Sequence, residues 1–184
     1  MPNSNKNNGF TLIEMLIGVS IIGILGALLI TIINPDRARR VAQNGVQISR
    51  LSDAGNGIVV FRTAEGFYPD PGALGNPLTG SHAAAVGTYL TWWPDDGDYT
   101  YSTVTSGSNT FMCVSVTQAH AEKPNCPFFK FISPHNSAVT GGLARCANKV
   151  VRCTTVCTDQ TNSILLSNCE DLEGKACGSG TPCD

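Results

Sequence analysis

Charge is missing from this chain of 184 residues in a telling pattern. No Asp, Glu, Lys or Arg occurs from Met15 to Ile33. No Lys or Arg occurs from Thr63 to Glu122, a stretch that holds six acids. No cysteine precedes Cys113, and only three histidines are present. Each absence excludes something. A lipoprotein needs a cysteine just after its apolar run, and none is there. His82, His120 and His135 have no Ser, Cys or Asp at a recognisable nucleophile spacing, and no glycine-rich phosphate cradle occurs. The sequence therefore offers no catalytic centre. A net charge of −2 gives no bulk electrostatic case for nucleic acid.

The uncharged run is long enough to matter. From Met15 to Ile33 it would extend about 28 Å as a helix, close to the thickness of a hydrocarbon core. A secretory signal peptide wants a shorter apolar core with small residues at a cleavage site after it, and no Ala-x-Ala follows here. A plain single-pass anchor fits the length but leaves one residue unexplained. Glu14 stands at the entry of the run, and a carboxylate carried to mid-membrane costs about 2.5–3.5 kcal/mol on insertion scales. A cut after Gly9 would supply a reason. The new ammonium of Phe10 would lie one helical turn from Glu14, or within reach of it on a neighbouring chain.

Gly9-Phe10-Thr11-Leu12-Ile13-Glu14 resembles the prepilin signature of type IV pilins and type II secretion pseudopilins. Ile21-Ile22-Gly23-Ile24-Leu25-Gly26-Ala27 is similar to that family's membrane anchor. The likeness is close over about the first 35 residues and loose over the next 30. It implies cleavage between Gly9 and Phe10 by a prepilin peptidase and N-methylation of Phe10. It also implies that Glu14 neutralises the terminal amine of an adjacent subunit during assembly. The implied partners are further copies of the chain in a helical homopolymer, the peptidase and the inner-membrane assembly machinery. The implied location is a single pass in the inner membrane with the head outside, then an extracellular or periplasmic filament.

Flanking charge argues the other way. Only Lys6 precedes the span, whereas Arg37, Arg39 and Arg40 follow it, so the positive-inside rule alone would place the C-terminal part in the cytoplasm. The cysteines oppose that. Cys113, Cys126, Cys146, Cys153, Cys157, Cys169, Cys177 and Cys183 are even in number and clustered, which points to disulfides and an oxidising compartment. The outside placement is preferred, and the spacing leaves the pairing open. Zinc is disfavoured, since Cys153-x3-Cys157 has no second close pair and no histidine nearby.

Asn34-Pro35-Asp36 interrupts the apolar helix, either as a kink or as the start of a second helix with proline in its first turn. Beyond it, Val41, Ile48, Leu51, Ile58 and the stem of Arg62 recur at helical spacing, with Arg39, Arg40, Asn44, Gln47 and Arg50 elsewhere around the helix. Gly45, Gly55 and Gly57 each weaken it by about 1 kcal/mol relative to Ala. Packing must then hold it in place. Gly23 and Ala27, four apart in the anchor, would permit close helix approach, although glycine is common in spanning helices.

Tyr99 to Val104 alternates as a strand, Ser106 to Asn109 reads as a turn, Phe111 to Val116 as the returning strand and Phe128 to Ile132 as a third. Trp92 and Trp93 beside Pro94 suit a plug between sheet and stem better than a stacking platform. Asp95-Asp96-Gly97-Asp98 invites a calcium reading, with Asp159, Asn162 and Asp171 as a looser alternative. Calcium wants six to eight oxygens and an Asp- and Gly-rich β-turn explains the run as well, so no cofactor is required. The residues after Asn136 match no pattern.

The expected fold is α+β. A long N-terminal helix, half transmembrane and half amphipathic, packs on a small antiparallel sheet with a disulfide-rich C-terminal region. The expected segments are a leader at 1–9, a membrane and filament-core helix at 10–34, an amphipathic stem at 35–66, a loop and sheet head at 67–135, and a cysteine-rich region at 136–184. The function expected is that of a structural filament subunit and not an enzyme. A secretion pseudopilin is the nearest alternative, and a monomeric membrane-anchored binding or adhesin head the more distant one.

Overall fold

The computed structural model describes residues 10–32, 34–94, 98–106, 109–134, 145–157, 168–178 and 183. The chain forms two compact units, residues 1–39 and 40–184.

In the first unit, helix α1 runs Leu12–Ile32. Its 18-residue window Leu12–Leu29 is long and apolar enough to cross a membrane, and none of it is buried within the chain. Apolar residues lie on every side of it, as in helices made to be surrounded. Helix α2, Pro35–Glu65, begins in this unit and continues into the second. Proline stands at its first helical position, where a missing N–H costs nothing. Asn34 caps the start, its Oδ1 accepting from the Arg37 N–H at 3.2 Å. Of the two expectations for Asn34-Pro35-Asp36, the helix start is what forms.

At the other end of α2, Gly66 takes a φ of +84°, and its N–H donates to the Arg62 carbonyl at 2.8 Å. A glycine in the left-handed region is the common way to close a helix. Short turns and the four-residue helix α3, Ala83–Val86, follow before the sheet. Five antiparallel strands then pair in sequence order: β1 Thr100–Ser106, β2 Asn109–Thr117, β3 Phe128–Pro134, β4 Val150–Cys153 and β5 Cys169–Asp171. Three of these overlap the expected strands. The Gly107-Ser108 tip of the expected turn lies outside the described residues. β4 and β5 were not expected, because strands of four and three residues are too short to show a period. The sheet crosses residue 135 without a break in strand order, so the cysteine-rich region completes the head rather than following it.

Strand alternation gives the sheet two covered faces. Met112, Val114, Val116, Phe129, Phe131 and Val150 join Leu51, Ala54, Ile58 and Phe61 of α2 in one core. Cys113, Ile132, Val151 and Cys153 face the opposite way, into a second core with Cys146, Cys157, Cys169 and Cys177. The first is a helix-on-sheet core of large apolar side chains. The second is built largely of sulfur.

α2 differs from the expected face in two respects. Val41 is 40% exposed, whereas Asn44 is buried. Asn44 and Gln47 work as a pair of clasps on the chain leaving β2. Asn44 Nδ2 donates to the His120 carbonyl and Asn44 Oδ1 accepts from the His120 N–H at 3.0 Å. Gln47 Nε2 donates to the Thr117 carbonyl at 2.9 Å and Gln47 Oε1 accepts from the Ala119 N–H at 3.0 Å. An amide side chain offers both a donor and an acceptor, so it can pair with backbone as another peptide group would. A reading based on apolar spacing does not see this.

Gly55 has a use that propensity hides. A Cβ built there would stand 2.4 Å from the Phe131 ring, so the missing side chain is what lets the ring lie on the helix. Trp93 is buried beside the same core, while its neighbour Trp92 is 42% exposed with the Arg50 guanidinium 5.9 Å from its ring centre.

Candidate functional site

The N-terminal candidates fall at the start of α1. Gly9 lies outside the described residues. Phe10 is 77% exposed. Thr11 caps the helix: its carbonyl accepts from the Glu14 N–H at 3.1 Å, with Oγ1 at 3.4 Å from the same nitrogen. Glu14 therefore occupies the third helical position, where a carboxylate meets the positive end of the helix dipole. Thr-x-x-Glu is a helix-start pattern, and it was available in the sequence as a reason for Glu14 to stand here. The cap accounts for the Glu14 backbone. Its carboxylate is exposed and makes no hydrogen bond or ion pair among the described residues, which leaves it open to a cation from elsewhere.

The rest of α1 presents side chains that no described residue buries. Leu12, Ile13, Met15, Leu16, Val19, Ile22 and Leu29 are all more than 60% exposed. Nothing lies within 4 Å of a Cβ built at Gly18, Gly23 or Gly26. The glycines thus create flat places on an open surface, where another helix can come close.

All eight cysteines are paired: Cys113–Cys157, Cys126–Cys183, Cys146–Cys177 and Cys153–Cys169. Cys113 sits in β2, so the first bridge ties the segment just after β4 to that strand, and Cys126–Cys183 ties the C-terminal end to the chain between β2 and β3. Cys153–Cys169 links the neighbouring strands β4 and β5, where the two residues face each other in register. A cross-link limits the unfolded chain most when the loop it closes is long, and the loops here separate their ends by 16 to 57 residues.

Two ionic groups are buried in the sheet. Lys130 in β3 is fully buried, and its Nζ donates to Thr155 Oγ1 at 2.9 Å. Burial pushes its ammonium down to about 8. Glu170 in β5 is also buried and accepts from Lys123 Nζ at 2.9 Å. On the helix side, the Tyr68 hydroxyl donates to the Ser133 carbonyl at 3.0 Å and the Tyr101 hydroxyl to the Pro69 carbonyl at 2.9 Å. Desolvation raises both phenols above their ordinary range. These bonds tie the loop after α2 to the sheet.

The calcium candidates Asp95 and Asp96 lie outside the described residues, as do Asp159 and Asn162. Asp98 is exposed. Asp171 is engaged within a turn, accepting from the Glu173 and Lys175 N–H groups at 3.1 and 2.8 Å. Among the described residues no three metal-ligating side chains converge. Ser81, His82 and Asp70 do come together: Ser81 Oγ is 3.2 Å from Asp70 Oδ2 and 3.3 Å from His82 Nδ1. Here the acid holds the serine instead of orienting the histidine, and His82 Nδ1 also accepts from the Asp70 N–H at 3.3 Å. That arrangement fixes a loop and does not activate a nucleophile.

A family model described as the prokaryotic N-terminal methylation motif matches residues 4–30. No curated protein and no solved structure matches the chain. The chain thus carries the prepilin signature of the pilin and pseudopilin class on an N-terminal apolar helix.

Proposed function

We propose that this chain is a pilin: a prepilin cut after Gly9, methylated on Phe10 and polymerised through α1 into a type IV pilus-like filament. The observation that carries the reading is the methylation motif lying on a helix whose apolar side chains no described residue buries. Lipid covers that surface first, and copies of the same helix cover it in the filament. The peptidase and the inner-membrane assembly machinery are the partners this route requires. Residues 10–34 serve as anchor and filament core, 35–66 as stem, and the remainder as a disulfide-braced head outside the membrane.

Glu14 has a defined role in this scheme. A carboxylate at the lipid boundary finds the ammonium of a neighbouring Phe10, and the match sets the register between copies. An intact mass of the mature chain from its native host reports cleavage, methylation and four bridges together. A chain that still begins at Met1 overturns the reading. Sheared surface material seen by electron microscopy should hold long fibres containing this chain, and Glu14→Ala should lose them while leaving the head folded. Fibres in normal yield from Glu14→Ala would refute the register role. A processed chain that forms no long fibres would favour the short periplasmic assembly of a pseudopilin.

A further inference from the structure

Arg37, Arg39 and Arg40 stand where two general effects oppose them. They fall in the first turns of α2, the end at which the helix dipole disfavours cations. They also follow the apolar span on the side where the positive-inside rule expects few. All three are exposed, and among the described residues none makes an ion pair with any carboxylate, Asp36 included. The other two arginines of α2 are occupied, Arg50 over Trp92 and Arg62 over Tyr68. From residue 34 to residue 49 the only acid is Asp36. Three exposed guanidiniums set against both effects, with no carboxylate partner among the described residues, are open to an anion from outside the chain.

Position decides which anion. Arg37 to Arg40 follow Ile32, the last residue of α1, by only five to eight residues, so they lie close in sequence to the end of the apolar span. The headgroup layer of one leaflet is about 5–8 Å deep, and an arginine stem can reach back along it. Guanidinium forks match phosphate oxygens in shape and charge. We propose that Arg37, Arg39 and Arg40 bind the phosphates of anionic phospholipids in the leaflet on the head's side. The waiting subunit then gathers such lipids around its anchor. The inference rests on α1 being a membrane anchor, but not on filament formation.

The test uses the full chain reconstituted in phosphatidylcholine bilayers that carry spin-labelled phosphatidylglycerol or spin-labelled phosphatidylcholine. The immobilised fraction of each label reports the lipid shell. Phosphatidylglycerol should be enriched at low salt, with about a five-fold loss of preference for each arginine removed. The preference should collapse toward unity in the triple Arg37→Gln, Arg39→Gln, Arg40→Gln variant and in about 1 M salt. The matching triple lysine variant should keep most of it. A disulfide count on each variant shows that the head has folded. Equal association of the two lipids with the unaltered chain overturns the proposal. So does a triple glutamine variant that keeps its lipid preference, and if that variant also loses its fibres the arginines serve a second copy of the chain. Flotation with the vesicles is scored separately, and a chain that fails to float refutes the anchor itself.

Discussion

Leucine, isoleucine and phenylalanine behave in opposite ways in the two halves of the stem. In α1, Leu12 is 84% exposed and Ile22 71%, whereas Leu51, Ile58 and Phe61 of α2 are fully buried. Composition does not make this difference; the presence of a covering partner does. The head supplies its own cover, with a sheet on α2 and a disulfide layer behind the sheet. No described residue buries α1, and on the proposed reading its cover is lipid or another copy. One half is stabilised within the molecule and the other by what surrounds it.

Breaking the head's own cover should separate the two halves most strongly. Reduction of the four disulfides should unfold the head while α1 remains inserted, since each native bridge in a small domain contributes about 2–5 kcal/mol. Circular dichroism with flotation before and after reductant checks this. A head that keeps its sheet when reduced would show that the helix-side core is sufficient alone.

Lys130 gives the next effect. Its ammonium titrates near 8 when folded and near 10.5 when unfolded, so between those values the unfolded chain holds a proton the folded one has lost. Stability should therefore rise as pH rises from about 8 to about 10, by up to about 3 kcal/mol, and the gain is absent below 8. Above pH 10, Tyr68 and Tyr101 act in the opposite sense. Their raised values mean that the unfolded tyrosines ionise first, and stability falls. Urea midpoints across this range should show the rise, and Lys130→Met should flatten it.

Two glycines of one helix give the smallest and sharpest contrast. Gly55→Ala should destabilise the head by about 1–3 kcal/mol because the new methyl collides with Phe131. Gly45→Ala has open space around it and should stabilise by about 0.5–1 kcal/mol through helix propensity. Thermal melts of the two variants should move in opposite directions. Equal shifts would mean that Phe131 can move aside at little cost.

Legibility in the sequence followed the range of the forces involved. The apolar span and the first three strands arise from patterns repeated over several neighbouring residues, whereas Asn34-Pro35 announced an interruption without deciding between a kink and a new helix. β4 and β5 carry too few residues to repeat anything, and they exist because β3 and the disulfides hold them in place. Asn44 and Gln47 look like surface amides until the chain after β2 comes down beside them. Lys130 looks like an ordinary charge within a strand, yet its neighbours across the sheet leave it no route to water. At the N-terminus, the Thr11 cap went unread although its Thr-x-x-Glu pattern spans only four residues.

The sequence alone determined that Met15 to Ile33 would be an uncharged apolar run, that one carboxylate would stand at its entry, and that the helix would be interrupted at Asn34-Pro35-Asp36. Those outcomes depend on hydrophobicity and on backbone chemistry within a turn or two. Only the tertiary structure decided which cysteines meet, why Gly55 has no side chain, and that the cysteine-rich segment closes the sheet instead of trailing from it. Such outcomes require residues far apart in sequence to occupy one small volume, and packing in three dimensions selects them.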